Sequence, residues 1–164
     1  MNWYVIQTKP KKEEEAKSYL STNGLEIFNP LIETFIHRNG GMSRELKPLF
    51  PNYIFGKFDI DRNYSLVRWG RGVKKILGLG GYPTPLSEEV IEIIRNRVDP
   101  HGIVKKTVQF KPNEWVRIKF GPLKDLVGIF DRWVSEGERV RILLNLIGYQ
   151  PEVEIHYSMI EKVA

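Results

Sequence analysis

The stretch KPLFPNYIFGKF, Lys47 to Phe58, joins two prolines to Leu49, Phe50, Tyr53, Ile54, Phe55 and Phe58, and it contains no acid. Proline cannot donate to a strand ladder, so Pro48 and Pro51 belong at the entry of a strand rather than its middle. From Tyr53 onward the alternation sets Tyr53, Phe55 and Lys57 on one face and Ile54, Gly56 and Phe58 on the other. One face must cover a core. The other, unless a helix caps it, exposes aromatics, and such a patch marks a docking surface. The alternative is burial of both faces in a sandwich.

Upstream, NWYVIQT (Asn2 to Thr8) alternates and is rich in β-branched and aromatic residues, which predicts a strand. KPKKEEEAKSYLSTNG predicts a helix: Pro10 lies near its start, Glu13, Glu14 and Glu15 in its early turns, and Gly24 at its end. LEIFNPLIETFIHR reads as extended chain interrupted at Pro30, and Asn39-Gly40-Gly41 as the tip of a hairpin that returns through Lys47 to Phe58. Downstream, Ser87 is a helix N-cap followed by Glu88 and Glu89, with Val90, Ile91, Ile94 and Val98 at helical spacing. The order βα, several strands, then α predicts an α+β sandwich, one antiparallel sheet flanked by helices.

A second unit follows. Asn96 to Pro112 carries two prolines and a glycine with little periodicity, as a linker does. Beyond it EWVRIKF, LVGIFDRWVS, RVRILLNLI and EVEIHYSMIEKV are short strands, separated by Gly121-Pro122, Glu136-Gly137 and Gly148. This spacing predicts a small SH3-like five-stranded β-barrel. RVRILLNLI also satisfies a helical pattern, and periodicity alone does not decide between the two. The expected organisation is residues 1–97, a linker over 98–108, and a barrel over 109–164.

Composition bounds the function. The chain has 164 residues, no cysteine and a formal net charge of +5. Disulfides, thiolate metal sites and thiol nucleophiles are therefore excluded, and a reducing cytoplasm is the expected compartment. No apolar run approaches the roughly 18 residues of a membrane span. His37, His101 and His156 lie far apart without metal-ligand spacing, and GLGGYP (Gly78 to Pro83) lacks the lysine and following helix of a phosphate loop. No enzyme, cofactor or metal is expected. Charge is unevenly placed: Arg62 to Ser87 holds no acid, while Arg62, Arg68, Arg71, Lys74 and Lys75 carry +5, interleaved with Tyr64 and Trp69. Such a segment fits nucleic-acid backbone, or else a solvated hairpin edge guarded by cations.

In NEWVRIKFGPLKDLVGIFDRW a strand ends at Phe120, Gly121-Pro122 turns, and Gly128 sits inside the next strand; this resembles the KOW motif of ribosomal proteins and elongation factors. WYVIQTKP, PLFPNYIFGKFD, RGVKKILG and PTPLSEEVIEII precede it in that order, and together they resemble the NusG family of transcription factors over Asn2 to Val163. PLFPNY, RGV and LLNLI are most similar to the specialised RfaH-type paralogues.

The resemblance implies a monomeric elongation and antitermination factor. Its N-terminal domain, of the NGN type, would bind RNA polymerase at the clamp helices, and its barrel would recruit a ribosomal protein or Rho. On this basis Tyr53, Phe55 and Leu79 are candidates for the clamp-helix surface, and Asn63, Tyr64 and Ser65 for a loop approaching the opposite jaw. Lys9, Arg68, Trp69, Arg71, Lys74 and Lys75 are candidates for the non-template DNA strand, although Arg68-Trp69-Gly70 departs from the small polar residues that precede RGV in the paralogues. Phe120, Leu123, Phe130 and Ile147 are candidates for the barrel's partner, each also suited to the barrel core. In some paralogues the C-terminal domain folds instead as a helical hairpin, which the pattern around Arg139 to Ile147 leaves open. A KOW-containing ribosome- or RNA-binding assembly protein is the other reading.

Overall fold

The computed structural model describes residues 1–104, 109–135, 138–146 and 148–163. The chain forms two compact units: Met1–Thr34 with Leu46–Lys106, and Phe35–Glu45 with Thr107–Ala164. Among the described residues no helix is long and apolar enough to cross a membrane.

In the first unit β1 (Asn2–Thr8) lies between β5 (Tyr53–Phe58) and β6 (Val73–Ile76), with β2 (Glu26–Phe28) on the far side of β5. All pairings in this sheet are antiparallel, and β1 meets β5 in register from Asn2↔Phe58 to Gln7↔Tyr53. Alternation then divides the side chains. Tyr4, Ile6, Ile54 and Phe58 pack with Ala16 and Leu20 of α1 (Glu13–Thr22) and Val67 of α2 (Ile60–Arg68). Trp3 and Phe55 face the other way and pack with Ile91 of α3 (Glu88–Arg95). Arg95 ties α3 to that face: its guanidinium lies 5.1 Å from the Trp3 ring centre and 2.7 Å from a Glu26 carboxylate oxygen. The sheet is therefore covered on both sides.

α2 is absent from the sequence-based reading, which places a loop at Asn63 to Ser65. The helix starts because the Asp59 carboxylate accepts from the Asp61 and Arg62 amides, an N-cap. Its signal was present as Ile60, Tyr64 and Val67 at helical spacing behind an aspartate. After it, β7 (Gly78–Leu79) and β8 (Tyr82–Pro83) form a two-stranded hairpin.

β3 (Leu31–Arg38), β4 (Gly41–Pro48) and β9 (Ile103–Val104) form a three-stranded sheet in the order β4-β3-β9. β9 lies inside the expected linker and pairs parallel to β3, Leu31 opposite Ile103. The preceding turn is organised by Asp99, whose carboxylate accepts from the His101 and Ile103 amides at 2.8 and 3.0 Å. An Asp-centred turn of this kind carries no hydrophobic period, which is why the segment reads as a linker.

In the second unit β10 (Trp115–Ile118), β11 (Val127–Trp133), β12 (Arg139–Leu144), β13 (Glu152–His156) and β14 (Ile160–Lys162) form one antiparallel sheet, ordered β13-β12-β11-β10-β14. RVRILL is a strand, with Val140, Ile142 and Leu144 alternately buried beside Phe130, Val116 and Ile118. Period two wins over the helical alternative because β12 has a partner on each side. Gly128 has a packing role: a Cβ there would lie 2.6 Å from Ile142 Cγ2 and 2.7 Å from the Leu143 carbonyl oxygen. The hairpin tip of residues 35–45 belongs to this unit, and the Phe35 ring lies 4.7 Å from that of His156.

Candidate functional site

The turn that leads into β5 is built by its prolines. Tyr53 N–H donates to the Phe50 carbonyl at 3.0 Å, Pro51 is the first central residue, and Asn52 has φ of 71°. A proline followed by a positive-φ asparagine is a type II turn. It leaves Phe50 partly exposed, edge-on to Phe55 with ring centres 5.5 Å apart, and Tyr53 half-buried. Phe55 itself is only 6% exposed, beneath α3. The open aromatic face expected at Phe55 is thus capped, and the residue is core; of the pair, Tyr53 alone retains accessible surface.

Leu79 is 78% exposed, and so is Tyr82, its cross-strand partner on the β7–β8 hairpin. Large apolar side chains this exposed on a two-stranded hairpin have no core to serve. Tyr82 and Phe50 were not singled out from sequence, although each sits beside a residue that was: Phe50 in the quoted stretch, Tyr82 two glycines beyond Leu79.

Between α2 and this hairpin runs a groove of about 340 Å³, into which Tyr64, Arg68 and Lys75 project alongside Ile76, Leu77 and Pro83. Three candidates from the acid-free segment therefore share one concavity. Arg68 is half-buried, with its guanidinium carbon 4.4 Å from the centre of the Trp69 ring, and Trp69 is 74% exposed. A stacked guanidinium beside an exposed indole offers a cation and two flat faces at one place. Lys74 and Lys75 are both exposed because β6 breaks its alternation: a register shift opposite Gln7 and Thr8 lets Val73 and Ile76 both face the core.

Arg71 is not in this groove. It lines a shallower depression of about 390 Å³ with Glu15, Tyr19 and Asn23 of the α1 side. Lys9 is tied to the residue after Arg71 through the backbone, its amide donating to the Gly72 carbonyl at 2.8 Å. Gly72 has φ of +80°, and a Cβ would lie 3.2 Å from the Lys12 carbonyl, so the close seating of RGV on the start of α1 requires glycine. Asn63 is half-buried and Ser65 exposed on α2, on the helix rather than in the expected loop.

Of the barrel candidates, Phe130 is 1% exposed and is core, at a position the strand alternation turns inward. Leu123 is half-buried against that core, and Phe120 is half-buried with the His37 ring stacked on it at 5.5 Å. Ile147 lies outside the described residues. Among the described residues, the barrel's exposed large apolar side chains are instead Trp115, Val134, Leu146 and Tyr149.

The sequence model of the family described as transcription termination factor nusG matches residues 1–95. A Thermus thermophilus protein named transcription termination/antitermination protein NusG is 28% identical, over 99% of this chain and 98% of its own length. The protein of the same name from Campylobacter jejuni is also 28% identical, over 98% and 97% respectively. Among solved structures, that of Thermotoga maritima NusG aligns over 99% of this chain and 97% of its own at 22% identity, with a TM-score of 0.38. With the matched region taking in the β2-β5-β1-β6 sheet, α1, α2 and α3, and both grooves' linings, the chain belongs to the NusG family of transcription termination/antitermination proteins.

Proposed function

We propose that the chain is a transcription elongation and antitermination factor of the specialised, RfaH-like kind. It binds the clamp helices of RNA polymerase through the first unit, follows the displaced non-template strand, and recruits a ribosomal protein or Rho through the barrel. The observation that carries this reading is the presence of exposed apolar side chains and an acid-free groove on one unit of a NusG-family chain. Tyr53, Leu79, Phe50 and Tyr82 supply the apolar contacts, and Asn63, Tyr64 and Ser65 on α2 meet the facing jaw. Arg68, Trp69, Lys74 and Lys75 contact unpaired DNA, together with Arg71 and with Lys9, whose backbone is bonded to Gly72. Phe120 and Leu123 keep enough accessible surface to take part in the barrel's contact with its partner.

The test is capture of core RNA polymerase by the full chain, with ribosomal subunits as competitor. Tyr53→Ala and Leu79→Ala are expected to weaken capture. Arg71→Ala is expected to weaken binding to an elongation complex carrying a single-stranded bubble and to flatten its salt dependence by a slope of about one. Capture of ribosomal subunits without polymerase would favour a KOW-type assembly protein and sink this reading.

A further inference from the structure

The type II turn at Phe50 to Tyr53 has a feature its own geometry does not satisfy. In such a turn the amide of the second central residue makes no bond within the turn. Here that residue is Asn52, and its amide donates to the Glu13 Oε1 at 2.8 Å. Glu13 is only 6% exposed, among the few polar or charged side chains buried in the described residues. A carboxylate is costly to bury unless it is paired or accepts charge-assisted hydrogen bonds. This one accepts such a bond and stands at the first position of α1, where the helix dipole favours an anion.

The turn is tied on both sides of this bond. The Thr8 amide donates to the Asn52 carbonyl at 2.8 Å, and the Leu49 amide to the Pro30 carbonyl at 2.8 Å. Those two bonds are backbone ladder and bridge; the Glu13 bond is the one made by a side chain, and so the one a substitution removes cleanly. Asn52 also holds the left-handed φ of 71° that the type II turn requires at this position, a conformation asparagine tolerates better than most residues.

We infer that Glu13 is the positioning residue of the docking surface: its buried carboxylate holds the Asn52 amide and thereby fixes how Phe50 and Tyr53 are presented. This rests on the reading that Tyr53 meets polymerase. Glu13 does not itself touch the partner. It couples the start of α1, where Lys9 and Gly72 also meet, to the aromatic edge of β5.

The experiment uses the full chain as Glu13→Ala, Glu13→Gln and Tyr53→Ala, with Val67→Ala as a control that loosens the same core without touching the turn. Amide hydrogen exchange at Asn52 is read alongside affinity for core RNA polymerase. Glu13→Ala is expected to speed Asn52 exchange about tenfold or more, as loss of a charge-assisted bond does, and to weaken polymerase binding severalfold. Glu13→Gln keeps an acceptor oxygen and should restore most of both. Val67→Ala should lower the unfolding midpoint while Asn52 exchange under native conditions and polymerase affinity stay near wild type. Unchanged Asn52 exchange in Glu13→Ala overturns the inference whatever polymerase does. Faster exchange with unchanged affinity, while Tyr53→Ala weakens binding, also overturns it. Wild-type affinity in Tyr53→Ala instead removes the docking surface, and the exchange result then still decides whether Glu13 holds the turn.

Discussion

Replacing Phe55 by alanine separates a docking role from a core role, because the two predict different observables. The side chain is 6% exposed and packs with Trp3 and Ile91, its ring centre 6.2 Å from Phe28 and 5.5 Å from Phe50. Truncating a phenylalanine in such surroundings costs about 3–5 kcal/mol, from lost transfer energy and the cavity left behind. A domain of this size has only about 5–15 kcal/mol in total. At about 4–8 °C per kcal/mol, even the lower figure lowers Tm by roughly 12–24 °C. In urea, with m of about 1–3 kcal/mol/M, the midpoint falls by about 1 M or more. The assay is a urea titration followed through the amide signals of β1 and β5, which report on this unit separately from the barrel. Tyr53→Ala, half-buried at the start of β5, is expected to shift the midpoint by less than about 1 kcal/mol equivalent while losing polymerase. If Phe55→Ala left the midpoint within that same margin and still abolished polymerase binding, the capping of this face by α3 would be wrong and Phe55 would be a docking residue after all.

Gly128→Ala should destabilise the second unit by about 1–3 kcal/mol, since the added methyl meets the Leu143 backbone as well as the Ile142 side chain; an unchanged midpoint for the β11–β12 amides would refute the close approach. Asp59→Ala removes the α2 cap and should cost about 0.5–2 kcal/mol, seen first as faster amide exchange at the start of that helix. Burial holds the His156 imidazole below its ordinary value, Arg139 adding to the effect and Glu138 opposing it. The folded second unit therefore binds fewer protons than the unfolded chain as pH falls through 6.5, and stability is lost across that window and regained on raising pH. Urea midpoints at pH 7.5 and 5.5 should differ less in His156→Gln than in the wild type; equal differences would contradict the assignment.

The strands and two of the helices were legible because their signals are local. Alternation from Trp3 to Ile6, the Ser87 cap, and the Asn39-Gly40 tip depend on a few neighbouring residues each. α2 is legible in principle, through Asp59 and the spacing of Ile60, Tyr64 and Val67, but the resemblance places Asn63 to Ser65 in a loop, and the cations around them also fit a solvated hairpin edge. β9 was not legible, since two residues pairing with a strand seventy positions away leave no period of their own.

By itself the sequence determined that Tyr53 and Phe55 share a face, that the segment from Arg62 to Ser87 is basic and free of acid, and that a β-rich second unit follows. What it left undecided was which of those residues meet solvent. Alternation assigns a side chain to a face, but burial depends on whether a distant element covers that face, and α3 begins thirty residues after β5 ends. Only the tertiary structure buried Phe55 and Phe130, left Tyr82 and Trp69 open, gathered Tyr64, Arg68 and Lys75 into one groove, and set the Glu13 carboxylate against the turn at Asn52.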